Sequence, residues 1–464
     1  MKIHFDGAAQ TVTGSQHLIE VNGYHMLLEC GLYQGKRSES YTINHTFPFD
    51  PKQIDAVLLS HAHIDHSGNL PNLAHDGYKG PVYATPGTVS LAEIMLRDSG
   101  HIHEADAGYM NKKLARQGKP LIEPLYTIPD VESAIRLFVK REYNQEFEPV
   151  PGVKARFVEA GHILGAAAIV LDITENGSTK RLWFSGDIGR LDLPIVRDPV
   201  LPENADYLMM ECTYGDKVHR DPELAFEEFC QVVQNTVKRK GKIIIPAFAV
   251  GRTQEIVFFL NRMFENNLIP RIPVFVDSPL AVGVTDVFRM YPQYFDEETH
   301  RFMQQTHEMA LFYKGLTYTR SVDESKAINN MSGPLVIISA SGMAETGRIL
   351  HHLKNNIEDA RNTIMIVSWQ APNTLGRRLA DQEKTINIFG ERYVRKAEVV
   401  TIGGLSAHAG QDMLLEYAEA TQKTLKQLFL VHGEERGAMP LMDKLHQHGF
   451  ENITFPARKQ VAEL

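Results

Sequence analysis

The chain has 464 residues, of which 43% are hydrophobic and 23% charged, and its formal net charge is −9. This composition is ordinary for a folded globular protein and excludes wholesale disorder, and the 34 glycines show no triplet period, which excludes a collagen-like chain. No apolar run approaches the roughly 20 residues a membrane helix needs, and the acidic balance argues against a protein that coats nucleic acid with its whole surface.

At about 150 residues per domain, the length allows two or three domains. Three cysteines, Cys30, Cys212 and Cys230, are too few for a disulfide framework and form no CxxC pair. Their scarcity suggests a reducing, cytoplasmic setting. The N-terminal MKIHFDGAA lacks a basic region followed by an apolar stretch, so no secretory leader is expected.

Short β-branched runs alternate with helical stretches along the chain, the signature of an α/β fold. Residues 1–35 read as short strands with glycine turns. Residues 56–60 and 81–84 read as buried strands, with a helix from about Thr88. Residues 101–150 are polar and read as mostly helical. Strands follow at 155–158, 167–173, 180–184 and 207–210, then a long helix over 222–240. The texture then changes. Strands at 242–246, 273–276, 335–339 and 364–367 alternate with helices from about Thr253 and Ala281, as in a second, parallel α/β unit. Strands at 399–402 and 428–431, each followed by a helix, close the chain. Domain boundaries are expected near 215 and 395.

The strongest chemical signal is LLSHAHIDHSG at 58–68, where His61, His63, Asp65 and His66 fall within six residues directly after a buried strand. Imidazole and carboxylate are good ligands for zinc, and an i, i+2 pair in a loop can aim two rings at one metal. Further ligands should arise where other strands end. AGHILGAA offers His162, WFSGDIG offers Asp187 and LFLVHGEE offers His432. A carboxylate in the position of Asp187 could bridge two metals. Other groupings are weaker. His101, His103 and Glu104 read better as a polar helix face. Gly31–Lys36 (GLYQGK) is too short for a phosphate-binding loop and lacks its Ser/Thr. His351–His352 read as capping or solvating a helix.

With H-x-H-x-D-H at 61–66, the later His162 and Asp187 and the early Asp6 in FDGAAQTVTGS, the sequence resembles the metallo-β-lactamase superfamily. The resemblance implies an αββα sandwich with a two-metal site at one edge. It also implies an Asp6 that orients a ligand loop. Three further features, Glu211 in MMECTYGD, His408 in GGLSAHAGQ and His432, look like the acid–His–His motifs of the β-CASP nuclease branch. The resemblance covers essentially the whole chain. It implies a metallo-β-lactamase domain of residues 1–215 and 396–464, interrupted by a β-CASP domain of residues 216–395.

What that implies is a zinc-dependent ribonuclease. Two Zn2+ ions activate a water and clamp the phosphoryl oxygens. His61, His63 and His162 would hold one ion and Asp65, His66 and His432 the other, with Asp187 between them. Asp65 is the candidate to receive the proton of the water. His408 would protonate the leaving oxygen, and Glu211 would hold its ring and favour imidazolium. In the inserted domain, PAFAVGRTQE offers Arg252, SASGMAETGR offers Ser339, Ser341, Gly342 and Arg348, and WQAPNTLGRRL offers Arg378, as substrate contacts. Exposed amides at helix N-termini suit phosphate.

The expected substrate is single-stranded RNA, cut internally to leave 5′-phosphate and 3′-hydroxyl ends. A 5′-exoribonuclease or a DNA nuclease of the same branch would share every metal ligand. A hydrolase of small esters would not need Glu211 with His408. A non-catalytic RNA scaffold is disfavoured by the full ligand set. No membrane partner is expected, and the oligomeric state, a homodimer included, stays open.

Overall fold

The computed structural model describes residues 1–35 and 37–464. Lys36, the last residue of the GLYQGK segment, lies outside the described residues. The chain divides into two compact units. The first comprises Met1–Leu191, Asp198–Val218 and His408–Leu464. The second comprises Asp192–Arg197 and His219–Ala407.

The first unit is built on two seven-stranded sheets. One runs in the order Gln460–Glu463, Lys2–Phe5, His17–Val21, Tyr24–Leu28, Ala56–Leu58, Val82–Ala84 and Phe138–Lys140. Its first strands pair antiparallel, and those from Tyr24–Leu28 onward pair parallel. The other runs Ile453–Thr454, Gln427–Val431, Tyr207–Glu211, Ser178–Phe184, Ala167–Glu175, Val153–Glu159 and Phe147–Val150.

The two sheets face one another across a shared core. Phe5, Ile19, Leu28 and Leu58 meet Phe157, Ile169, Leu182, Met209 and Phe429. Helices cover both outer faces. In Tyr207–Glu211 the side chains alternate: Tyr207 and Met209 enter the inter-sheet core, while Leu208 and Met210 pack with Leu414, Tyr417 and Leu441 beneath the helices Gln411–Glu419 and Glu435–Gln447. This double burial explains why the central strands read as unbroken apolar runs. The layers are helix, sheet, sheet, helix.

The second unit holds a six-stranded sheet in the order Leu316–Tyr318, Val274–Val276, Leu335–Ser339, Lys242–Pro246, Thr363–Ile366 and Glu398–Thr401, with every pairing parallel. Helices such as Arg252–Glu265 and Pro279–Met290 connect its strands, and Thr385–Ile388 with Glu391–Val394 forms a separate hairpin.

Three sequence expectations change. Residues 101–150 are not mostly helical. The helix Pro86–Arg116 ends there, Ile128–Ile135 is one short helix, and Phe138–Lys140 and Phe147–Val150 are edge strands of the two sheets. These strands are short and half-exposed, so they carry no apolar run and exist through their partners Val82–Ala84 and Val153–Glu159. The return to the first unit comes at His408 rather than near 395, because Glu398–Thr401 pairs with Thr363–Ile366. The departure is at 218, and Asp192–Arg197 also joins the second unit, where Ile195 accepts a hydrogen bond from the Asp296 amide at 3.0 Å. Among the described residues, no helix is long and apolar enough to cross a membrane.

Candidate metal centre

The candidate ligands all come from strand ends of the first unit. The strand Ala56–Leu58 runs into Ser60 and His61. His63 then caps the one-turn helix Ile64–Ser67, which turns Asp65 and His66 back toward the sheets. His162 follows Val153–Glu159, Asp187 follows Ser178–Phe184, and His432 follows Gln427–Val431. Gly186, at φ +56°, sets Asp187: a Cβ there would stand 2.7 Å from the Ser60 hydroxyl, so only glycine lets the two loops approach.

Asp187 is 2% exposed and lies between two sets of rings. Its Oδ2 is 3.4 Å from His61 Nε2 and 3.5 Å from His162 Nε2. Its Oδ1 is 3.3 Å from His66 Nε2 and 3.4 Å from His432 Nδ1. His63 Nδ1 sits 3.1 Å from His61 Nε2 and 3.2 Å from His162 Nε2. On the other side, His432 Nε2 is 3.1 Å from His66 Nε2 and 3.6 Å from Asp65 Oδ2. Among the described residues four overlapping donor groups result: His61, His63, His162 and Asp187; Glu29, His61 and His66; Asp65, His66 and His432; and Asp187, Glu211 and His408.

Several observations fit metal. Neutral imidazole has one N–H and one lone pair, so three nitrogens meeting near His63 cannot all find hydrogen-bond partners among themselves. The Oδ1 atom of Asp187 is buried and accepts no hydrogen bond. Burial pushes the His61 imidazole down to about 3 and His63 to about 4, and holds His162 well below the usual imidazole range. These rings are therefore neutral, the form that binds metal. Burial would also lower His66, but Asp187, Glu29 and Asp65 hold it well above the usual imidazole range. Burial opposes the charge on Asp187, yet the surrounding histidines, His432 and His66 foremost, hold its carboxyl well below the usual carboxylate range. The site is a metal-binding site.

Glu29 was missed by the sequence reading. It is fully buried at the end of Tyr24–Leu28 and accepts from His66 Nδ1 at 2.6 Å, from the Ser60 amide at 2.6 Å and from the Ser60 hydroxyl at 3.1 Å. The Ser60 hydroxyl in turn lies 2.9 Å from His61 Nδ1. One carboxylate thus orients two rings from their far side, the usual support of a histidine ligand. The signal was present, because YHMLLEC carries its strand into Glu-Cys at Glu29 as YLMMEC does at Glu211.

Asp6 does not occupy that position. Phe5 points into the inter-sheet core, and the alternation of the strand turns Asp6 to the opposite face, where it lines a hollow with His4, Glu20 and His25. Among the described residues, no hydrogen bond joins the Asp6 carboxyl to a candidate ligand.

His408 and Glu211 do meet. His408 Nδ1 is 3.1 and 3.2 Å from the two oxygens of Glu211 and 3.9 Å from Asp187 Oδ2. Glu211 is fully buried and also accepts from the Ile188 amide at 2.6 Å. The loop of His408 is tied to the Asp187 loop by the Gly189–His408 bridge and by Ala409 N–H donating to Ile188 at 2.8 Å. Burial acts against the charge on His408, but Glu211 and Asp187 raise it to about 9.

The residues expected to contact substrate in the second unit are engaged internally. Arg252, 9% exposed, binds Glu255. The Ser339 hydroxyl is buried and donates to the Asp277 carbonyl at 2.7 Å. The Ser341 hydroxyl takes the Glu345 and Thr346 amides at 3.1 and 3.4 Å, so these amides are not open to phosphate. Gly342 lies against the Phe248 ring. Arg348 binds Asp277 at 2.7 Å, and Arg378 binds Glu383 at 2.8 Å. His352 is not a capping or solvated residue. It is fully buried, 2.6 Å from Asp277 and 3.0 Å from Asn329. His103 packs edge-on against Tyr126 and Glu104 accepts the Ile128 amide, so these two are engaged in packing the helix, and His101 is exposed.

Histidine and carboxylate donors clustered at the strand ends of an αββα sandwich define a metallohydrolase site. Comparison with known proteins agrees. Family models match for the metallo-beta-lactamase superfamily over residues 11–142, the Beta-Casp domain over 253–379, and the Zn-dependent metallo-hydrolase RNA specificity domain over 392–456. Ribonuclease TTHA0252 of Thermus thermophilus is 38% identical over 453 residues, covering 97% of each chain. Probable RNase MJ4 of Methanocaldococcus jannaschii is 30% identical over 98% of each. The transcription termination factor FttA of Methanosarcina mazei is 30% identical over 95% of this chain and 68% of its own length. A crystal structure of a protein of unknown function from Enterococcus faecalis V583 shares the fold at a TM-score of 0.56 and 14% identity, covering 100% of this chain and 99% of that one. The chain belongs to the metallo-β-lactamase superfamily, in its β-CASP branch of RNA nucleases.

Proposed function

We propose that this chain is a ribonuclease that hydrolyses phosphodiester bonds within single-stranded RNA with the help of two zinc ions. The observation that carries the reading is Asp187, with its two oxygens turned to two separate sets of histidines and with the His408–Glu211 pair alongside. One ion would be held by His61, His63 and His162, the other by Asp65, His66 and His432, with Asp187 common to both. Bound there, the ions supply Lewis acidity to a phosphoryl oxygen and to water.

The protein's own groups complete the reaction. Asp65 accepts the proton lost by the attacking water, whose oxygen bonds to phosphorus as the bond to the 3′ oxygen breaks. His408 gives its proton to that 3′ oxygen. Its Nδ1 is engaged by Glu211, so Nε2 is the donating atom. The Glu211 carboxylate favours imidazolium, the form an acid needs. The products are a 5′-phosphate and a 3′-hydroxyl.

A 5′-labelled single-stranded RNA, incubated with protein of known metal content and with its Asp187→Ala variant, tests this reading. Internal fragments from the unsubstituted protein alone support it. Release of mononucleotides only would mean a 5′-exoribonuclease, and equal cutting of single-stranded DNA would remove the RNA assignment. No cleavage by metal-loaded protein would defeat the reading.

A further inference from the structure

The loops after the three adjacent parallel strands Leu335–Ser339, Lys242–Pro246 and Thr363–Ile366 all emerge at one edge of the second unit's sheet, their carboxyl ends. That edge is where open parallel α/β sheets bind ligands. These loops carry Gly342, Phe248 and Trp369 respectively. Phe248 is 42% exposed and Trp369 49% exposed. Among the described residues neither ring stacks on another, and the Trp369 indole N–H donates to nothing.

Their placement is built rather than loose. A Cβ at Gly342 would stand 2.9–3.0 Å from three atoms of the Phe248 ring, so the ring lies directly on the glycine backbone. The Gln370 side-chain amide donates to the Gly342 carbonyl at 3.0 Å and so ties the Trp369 loop to the same residue. The cations of these loops are already paired: Arg252 with Glu255, Arg348 with Asp277, Arg377 with Asp381 and Arg378 with Glu383. With these cations engaged, the exposed ring faces are the feature at this edge that offers a base its contact.

We infer that Phe248 and Trp369 form a stacking platform for the unpaired bases of single-stranded RNA. This rests on the ribonuclease reading above and adds how that substrate is held. Every base has a π-face, so such a platform tolerates sequence while rejecting paired bases, whose faces are covered. It is a positioning site, acting on binding rather than on bond cleavage.

The test measures the Kd of a fluorescent single-stranded oligoribonucleotide by anisotropy, on protein carrying Asp187→Asn to prevent cutting. A second oligonucleotide of equal length carries abasic sugars. Trp369→Ala and Phe248→Ala should each weaken binding of the first by about tenfold, and Trp369→Phe by much less. Neither should change affinity for the abasic RNA, nor the salt dependence of binding, because no phosphate contact is lost. In protein with Asp187 intact, KM should rise while kcat holds. Thermal unfolding of each variant checks that it folds; both rings are exposed, so Tm should stay near that of the unsubstituted protein. Unchanged binding, or an equal loss on abasic RNA, overturns the platform. Failure of the parent protein to bind either RNA overturns the ribonuclease reading itself, and the platform with it.

Discussion

Glu29 holds His66 at 2.6 Å from the side of the ring that faces away from Asp187. The same carboxylate takes the Ser60 amide and hydroxyl, so a single buried acid sets the angle of the His61 and His66 rings together. Glu29→Gln should therefore lower metal affinity by about 10- to 100-fold without touching a ligand. Competition with a chelator, read by metal content, checks this; unchanged affinity would leave Glu29 a core residue only.

Metal stoichiometry should divide along the two donor groups. On the two-ion reading proposed above, His162→Ala should lower bound metal by about one ion, because only the His61–His63 group loses a donor. Asp187→Ala should deplete both. Elemental analysis of purified protein distinguishes these outcomes, and a full complement in Asp187→Ala would contradict the shared carboxylate.

His408→Ala should retain bound metal and lose activity by about 100- to 10,000-fold, the usual worth of a general acid. Glu211→Gln removes a charge that raises His408 toward about 9. The imidazolium then loses its proton at lower pH, so the alkaline fall in the pH–rate profile should move toward neutrality. A profile unchanged in Glu211→Gln would mean that His408 is not the acid.

Asp277 predicts a stability effect in the second unit. It is fully buried and accepts from His352, Ser325, Thr319 and Arg348. Burial opposes its charge, but these partners hold the carboxyl well below the usual carboxylate range. A depressed folded-state value contributes stability above the ordinary carboxylate pKa of about 4, and that contribution is lost as pH falls below it. Asp277→Ala should cost about 3–5 kcal/mol by leaving the buried His352 and the partly exposed Arg348 without their partner. Urea denaturation of Asp277→Asn between neutral pH and about pH 3 should show a shallower acid loss than the parent.

Legible in the sequence by itself were the α/β class, the parallel second unit and seven residues of metal-ligand type; the αββα sandwich entered only with the family resemblance. The reason is local: four of them fall within six residues, and the other three lie within three residues of a strand end. The Glu211–His408 pair was equally legible, since a strand-end acid and a loop histidine are each marked by their flanks. Tertiary structure decided what local pattern leaves open. Asp6 and Glu29 both follow apolar strands, and only the pairing and facing of those strands put Glu29 behind the histidine loop and Asp6 on the other face. Ser339, Arg348 and Arg378 look available in the sequence. Asp277 and Glu383, each a stretch of chain away or masked by its own loop, take them up once the sheet forms. Hydrogen-bond satisfaction of a buried group depends on which distant strand arrives beside it, and that is a property of sheet order rather than of spacing along the chain.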